Sequence, residues 1–125
     1  MAQKVLVVDD EAHIRMLIEQ TLEDLEDDGV EILTASNGQE AYDLIMEERP
    51  DLVYLDVMMP KMNGFDVCQK IKFENGIEQT YIILLTAKGQ EIDRKRGEEV
   101  GADLYMTKPF DPDALLDKAR EVLGL

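Results

Sequence analysis

The chain has 125 residues, a formal net charge of −15 and one cysteine. This length favours one domain spanning residues 1–125, large enough to bury a hydrophobic core without disulfides or structural metals. The acidic charge argues against direct binding to nucleic acid, which needs clustered lysine and arginine, and a single cysteine excludes an internal disulfide. The apolar runs are too short to span a membrane and the N-terminus lacks a signal-peptide pattern, so we expect a cytoplasmic protein.

Apolar runs and amphipathic segments alternate five times along the chain. Five short apolar runs predict strands, at residues 4–8, 30–35, 52–55, 81–85 and 103–106. The first, third and fourth predict buried strands, and the second alternates as a strand near one side of the sheet does. Apolar residues spaced three and four apart predict a helix after each strand, over residues 11–26, 37–49, 63–73, 91–100 and 111–123. The residues expected to cap four of these helices are Asp10, Asn37, Asn63 and Asp111.

Strands that alternate with helices predict a parallel sheet with right-handed crossovers and helices on both faces. Ligands of such sheets bind beyond the carboxyl ends of the strands. Polar residues stand at four strand ends in this chain: Asp9 and Asp10 after the first strand, Asp56 after the third, Thr86 after the fourth and Lys108 after the fifth. We therefore expect these five side chains at one edge of the sheet.

The expected cluster has the composition of a phosphoryl-transfer site. Three carboxylates repel one another and stay ionised only beside positive charge, and oxygen ligands of this kind suit Mg²⁺. Lys108 and Thr86 add an ammonium and a hydroxyl for phosphoryl oxygens, which leaves Asp56 as the nucleophile that would form an acyl phosphate. Each residue alone has an ordinary alternative: a helix cap or loop residue for Asp10 and Asp56, a strand-end hydroxyl for Thr86, and a solvated loop charge for Lys108.

The sequence resembles the receiver domain of two-component response regulators along its whole length. Five motifs carry the resemblance: VVDDE at residues 7–11, LDVMMPKMNG at residues 55–64, LTA at residues 85–87, GAD at residues 101–103 and KPF at residues 108–110. The sequence resembles receiver domains of the chemotaxis-regulator type, and this resemblance implies a flavodoxin-like doubly wound (βα)5 fold. Its central five-stranded parallel sheet would have the order 2-1-3-4-5.

The resemblance implies a sensor histidine kinase as partner, which would transfer a phosphoryl group from its phosphohistidine to Asp56. Mg²⁺ would be held by Asp10 and Asp56, by Asp9 often through water, and by the backbone carbonyl of Met58. Lys108 would contact the phosphoryl group. Such a protein is a phosphoacceptor switch and not an enzyme, since it catalyses only its own phosphorylation and dephosphorylation.

The resemblance also implies a switch at a distance from the phosphoacceptor. Thr86 would swing toward the phosphoryl group and Tyr105 would turn inward, altering the surface of the fourth helix, the fifth strand and the fifth helix. A cis bond between Lys108 and Pro109 would aim the lysine at the site. The alternative for Tyr105 is a half-buried strand aromatic. The sequence leaves open a downstream target or output domain, and either a monomer or a phosphorylation-dependent homodimer.

Two other protein classes share parts of this pattern. A dehalogenase-type phosphohydrolase also has an aspartate nucleophile after a strand, but it needs a second aspartate two residues later, where this chain has Met58. A flavin-binding electron carrier shares the fold but needs a phosphate loop rich in Ser, Thr and Gly after the first strand, where this chain has Asp9-Asp10-Glu11.

Met58 also predicts slow loss of phosphate, because it offers an apolar cover and no hydrogen bond for an attacking water. Lys88 borders the same approach, and its effect stays open.

Overall fold

Five strands alternate with five helices in the computed structural model, which describes residues 2–87, 91–108 and 110–125. The strands are β1 (Lys4–Val8), β2 (Glu31–Ala35), β3 (Leu52–Asp56), β4 (Tyr81–Ala87) and β5 (Leu104–Lys108). The helices are α1 (Ala12–Thr21), α2 (Gly38–Glu48), α3 (Gly64–Gln69), α4 (Glu91–Glu99) and α5 (Pro112–Leu123). A 3₁₀ helix (Glu23–Asp28) follows α1, and a π-helical turn (Lys70–Glu74) extends α3.

All four strand pairings are parallel, and the sheet order is β2-β1-β3-β4-β5. The predicted fold class and strand order are therefore confirmed. The order reverses between β1 and β3, which places the switch point of the sheet where the ends of these two strands lie side by side.

Each face of the sheet carries its own hydrophobic core. On one face, α2 and α3 bury an apolar stripe against the sheet, and its members include Ala41, Ile45, Phe65, Cys68 and Ile71. On the other face, α1 and α5 bury a second stripe, which includes Ile18, Leu22, Leu115, Ala119 and Leu123. Every residue of β3 is buried, because helices cover this central strand on both sides.

Three of the four predicted helix caps are confirmed. The side chains of Asn37, Asn63 and Asp111 accept backbone N–H groups in the first turns of α2, α3 and α5. The cap predicted at Asp10 is wrong: the N-cap of α1 is Glu11, which makes no side-chain cap hydrogen bond.

Predicted boundaries also differ, most clearly at the first helix and the fifth strand. The first helix ends at Thr21 and gives way to the 3₁₀ helix, in which five of six residues are acidic: Glu23, Asp24, Glu26, Asp27 and Asp28. Acidic side chains at a helix C-terminus oppose the helix dipole, which disfavours continuing the α-helix. The strand β5 continues past Met106 to Lys108, because Thr107 pairs with Thr86 of β4. Lys108 is therefore the last residue of the strand, whereas the sequence predicted that it follows the strand.

None of the helices in the described parts of the chain combines the length and the apolar character that a membrane span requires.

Candidate functional site

The carboxyl ends of β1, β3 and β5 bring two aspartates and a lysine into direct contact. Asp9 follows β1, and Asp56 and Lys108 are the last residues of β3 and β5. The Lys108 ammonium donates to Asp9 Oδ2 at 2.7 Å and to Asp56 Oδ1 at 3.2 Å. One ammonium therefore lies between two carboxylates that come from strands on either side of the switch point.

Burial strengthens the charge–charge interactions within this ion-pair cluster. Asp9 is 0% exposed and Asp56 is 5% exposed, so water screens their charges only weakly. Both oxygens of Asp9 are engaged, because Oδ1 also accepts the Glu11 backbone N–H at 2.9 Å. The described contacts of Asp56 use only Oδ1.

The pKa values of Asp56 and Lys108 follow from this setting. Burial, followed by the charge of Asp9, raises the pKa of Asp56 to about 6, although Lys108 pulls it downward. Burial by itself lowers the pKa of Lys108, but its hydrogen bond to Asp9 and the charge of Asp56 raise that pKa on balance. The lysine thus stays charged, while ionised Asp56 lacks full compensation for its negative charge.

A group of carboxylates suited to a hard cation lies beside this cluster. Oxygens of Asp9, Asp10 and Glu11 all lie within 4.8 Å of one another. Such an oxygen-only set, together with the unbalanced charge of Asp56, fits Mg²⁺. Within the described residues, this group contains Glu11 and not Asp56, although Lys108 contacts both Asp9 and Asp56.

Glu11 and Arg15 are two residues near the site to which the sequence assigned no role. Glu11 directly follows the two aspartates, and this run of three acids is a local signal for a shared cation. The Arg15 guanidinium on α1 donates to the backbone carbonyl of Asp9 at 2.7 Å, which fixes the turn between β1 and α1. Nothing in the periodicity of α1 distinguishes Arg15 from a solvated helix residue.

The loop after Asp56 packs too tightly for any side chain at two glycines. A Cβ on Gly64 would overlap the backbone oxygen of Asp56, and a Cβ on Gly38 would overlap the backbone oxygen of Met62. The Gly64 N–H also donates to the Val57 carbonyl at 2.9 Å. These contacts hold residues 57–63 against the first turns of α2 and α3.

Met58 lies on this loop, two residues after Asp56, and 66% of its surface is exposed. The role of its backbone carbonyl as a cation ligand stays a prediction. Lys88 and Pro109 lie outside the described residues, as does the predicted cis bond between Lys108 and Pro109.

Thr86 and Tyr105 lie on neighbouring strands at the side of the site that faces α4. Thr86 is buried near the end of β4, and Tyr105 is half-buried on β5 opposite Leu84. The Tyr105 ring packs against α4 at Gly97, where an added Cβ would lie 3.1 Å from a ring carbon. Tyr105 also lines a groove of about 280 Å³ beside α4. Any turn of this ring would therefore change the surface between α4 and β5.

Comparison with known proteins gives one consistent result. Residues 5–120 match the family described as the response regulator receiver domain. The chain is 49% identical over 121 residues to a probable transcriptional regulator, ycf27, of Porphyra purpurea, covering 97% of this chain and 47% of that protein. It is 42% identical over 123 residues to the alkaline phosphatase synthesis transcriptional regulatory protein PhoP of Bacillus subtilis (strain 168), covering 98% of this chain and 49% of that protein. The chain thus spans about half the length of these curated relatives.

Solved structures agree with the sequence matches. The chemotaxis response regulator CheY4 of Vibrio cholerae superposes with a TM-score of 0.83 at 34% identity, covering 98% of this chain and 99% of that chain. These matches favour neither a phosphohydrolase nor a flavin-binding electron carrier. The chain belongs to the receiver domain family of two-component response regulators, whose members are phosphoacceptor switches and not classical enzymes.

Proposed function

We propose that Asp56 accepts a phosphoryl group from the phosphohistidine of a sensor histidine kinase. The observation that carries the proposal is the contact between the Asp56 carboxylate and the Lys108 ammonium at the carboxyl edge of the sheet. Asp9 is the competing carboxylate, but it is completely buried and both of its oxygens accept hydrogen bonds. Asp56 is therefore better placed to act as the nucleophile.

The transfer exchanges one bond for another. An oxygen of Asp56 attacks phosphorus while the bond from phosphorus to the kinase imidazole breaks, and the imidazole leaves with the bonding electron pair. Lys108 is within reach of the negative charge that spreads over the equatorial phosphoryl oxygens. Its hydrogen bond to Asp9 holds the ammonium in this place before the phosphoryl group arrives.

The proposed cofactor is Mg²⁺, with Asp9, Asp10, Asp56 and the backbone carbonyl of Met58 as its ligands. The close approach of Asp9, Asp10 and Glu11 supports a cation at this position and adds Glu11 as a nearby carboxylate. When bound, Mg²⁺ would neutralise the acidic side chains and the phosphoryl oxygens. The elevated pKa of Asp56 supports this role, because a cation favours the ionised form that attacks phosphorus.

The proposed output is a change in the surface formed by α4, β5 and α5. Thr86 would move toward the phosphoryl group, and Tyr105 would turn inward. The packing of Tyr105 on Gly97 supports this role, since it ties the ring to α4. The altered surface would bind a downstream protein or an output domain, or a second copy of the chain in a phosphorylation-dependent homodimer.

Further parts of the proposal concern the setting. The chain would act as one domain over residues 1–125, without direct contact to nucleic acid, and in the cytoplasm. Membership of the receiver family supports this setting. The relatives named as transcriptional regulators support an output on transcription.

The test is phosphorylation by acetyl phosphate and Mg²⁺, followed by intact-mass and peptide mass spectrometry. We expect one phosphoryl group on the wild type, located at Asp56, and none on Asp56→Asn. Asp43→Asn is the matched control, because Asp43 is an exposed aspartate on α2 away from the cluster. Labelling of Asp56→Asn at the wild-type level would refute the proposal.

A further inference from the structure

One buried tyrosine joins the strand that carries Asp56 to the last helix. Tyr54 lies on β3 two residues before Asp56 and is 0% exposed. Its hydroxyl donates to the backbone carbonyl of Leu115, in the first turns of α5, at 2.6 Å. Side chains alternate along a strand, so Tyr54 faces α5 while its neighbours Val53 and Leu55 face the other core.

This hydrogen bond is more directional than ordinary core packing. A leucine or valine on β3 could contact α5 equally well in several helix positions, since apolar contacts are non-directional. The Tyr54 hydroxyl, buried without access to water, keeps its partner only while Leu115 stays in place. The bond therefore fixes α5 along its axis as well as against the sheet.

The other end of α5 is also attached. The Gln3 side chain donates to the Leu123 carbonyl at 2.9 Å, and Arg120 pairs with Asp28 of the 3₁₀ helix at 3.3 Å. Together with the buried side chains of Leu115 and Ala119, these contacts hold α5 over its full length.

The described part of α4 has proportionally fewer buried or half-buried side chains than α5. Over residues 95–99, where side chains of α4 are described, only Gly97 is buried and the other four residues are exposed. The described contacts of this part of α4 are those of Gly97 with Tyr105 and Leu84 and that of the Arg96 guanidinium with the Phe65 ring. Val100, just beyond the end of the helix, is buried. Residues 95–99 therefore contribute little burial to the local free energy of opening.

We infer that Tyr54 is a positioning residue that keeps α5 stationary on the phosphoacceptor strand, so that the signalling surface changes at α4 and Tyr105 and not at α5. This inference rests on the proposed function, since it assigns the moving and fixed parts of the same switch. The hydroxyl of Tyr54, and not its ring, supplies the restraint.

The test is hydrogen–deuterium exchange of the whole chain, read by mass spectrometry, with and without Mg²⁺ and beryllofluoride as the phosphoryl mimic. The variant is Tyr54→Phe, which keeps the ring and removes the hydroxyl. The matched control is Tyr81→Phe on β4, a half-buried tyrosine that packs on the same core. Peptides from α2, α4 and α5 are compared in each protein.

Without beryllofluoride, we expect α5 amides to exchange about fivefold faster in Tyr54→Phe, as the loss of about 1 kcal/mol from one buried hydrogen bond implies. The α2 amides and the Tyr81→Phe protein should exchange at wild-type rates. With beryllofluoride, wild-type α4 should change its exchange while α5 does not, and α5 should become responsive in Tyr54→Phe.

The inference would be overturned if the α5 amides of Tyr54→Phe exchange at the wild-type rate. It would also be overturned if the amides of α2 and α5 exchange faster to the same extent, because that result indicates global destabilisation. A wild-type α5 that responds to beryllofluoride as strongly as α4 would also overturn it. A wild type that responds nowhere, although Tyr54→Phe loosens α5 alone, would instead refute the proposed function and leave the restraint by Tyr54 established.

Discussion

Replacing Asp56 by asparagine should stabilise the protein at neutral and alkaline pH in the absence of divalent cations. Burial and the charge of Asp9 raise the pKa of Asp56 from 3.8 to about 6. Asparagine has nearly the same size and cannot ionise, so it mimics the protonated carboxyl group that the folded state prefers. The ion pair between Lys108 and Asp9 stays in place in this variant.

The magnitude follows from linkage between protonation and folding. A shift of about 2 pKa units corresponds to about 3 kcal/mol, because one unit is worth about 1.4 kcal/mol. The folded state binds this proton more tightly than the unfolded state, so ionisation of Asp56 lowers the free energy of unfolding. This decrease in the free energy of unfolding is absent below pH 3.8, grows as the pH rises toward 6, and is complete above that value. Asp56→Asn should therefore exceed the wild type by about 3 kcal/mol at pH 8 and match it near pH 4.

The assay is urea unfolding at pH 4.5, 6 and 8 in the presence of EDTA. Because the chain has no tryptophan, unfolding is followed by far-ultraviolet circular dichroism. Only the difference between variant and wild type is used at each pH, which cancels groups that titrate alike in both proteins.

Asp103→Asn is the control with the opposite expectation. The Asp103 carboxylate pairs with the mostly buried Lys72 at 2.9 Å and accepts the Ile82 N–H at 2.8 Å. Its charge is thus compensated, and its removal should lower the free energy of unfolding by about 2 kcal/mol. An Asp56→Asn protein that is no more stable than the wild type at pH 8, or whose advantage does not change with pH, would show that the Asp56 charge is not a folding cost.

Two further predictions concern the cation and the lifetime of the phosphoryl group. Mg²⁺ should raise the melting temperature of the wild type, because it binds only the folded state. Asp10→Ala should lose this response while keeping its stability without metal. The assay is thermal unfolding against Mg²⁺ concentration, and an unchanged response in Asp10→Ala would show that Asp10 is not a ligand. Met58 is mostly exposed and lies two residues after Asp56. Met58→Asn would offer a polar group to a water in line with the acyl phosphate, so we expect it to speed phosphate loss about tenfold, which corresponds to about 1.4 kcal/mol of barrier. The time course of phosphate loss by intact mass checks this, and equal rates in both proteins would exclude control by Met58.

Local sequence signals were sufficient for most of the elements and for the placing of the main site residues. Apolar runs of four to eight residues predict buried strands, and Asn37, Asn63 and Asp111 cap helices through bonds that span two or three residues. A parallel sheet brings the carboxyl ends of its strands to one edge. The sequence therefore predicts that Asp9, Asp56 and Lys108 lie together, although the strand order itself follows from the family resemblance.

Contacts between distant elements were decided only by the tertiary structure. The length of β5 depends on its pairing with β4, and the carboxylate oxygens that the Lys108 ammonium meets, Asp9 Oδ2 and Asp56 Oδ1, depend on how the strand ends pack. The bond from Tyr54 to Leu115 joins residues that are 61 positions apart. Periodicity reports which face of an element is buried, because burial follows from spacing within a short window. It carries no information on which atom of another element a buried hydroxyl or ammonium will meet, since that depends on how the layers pack.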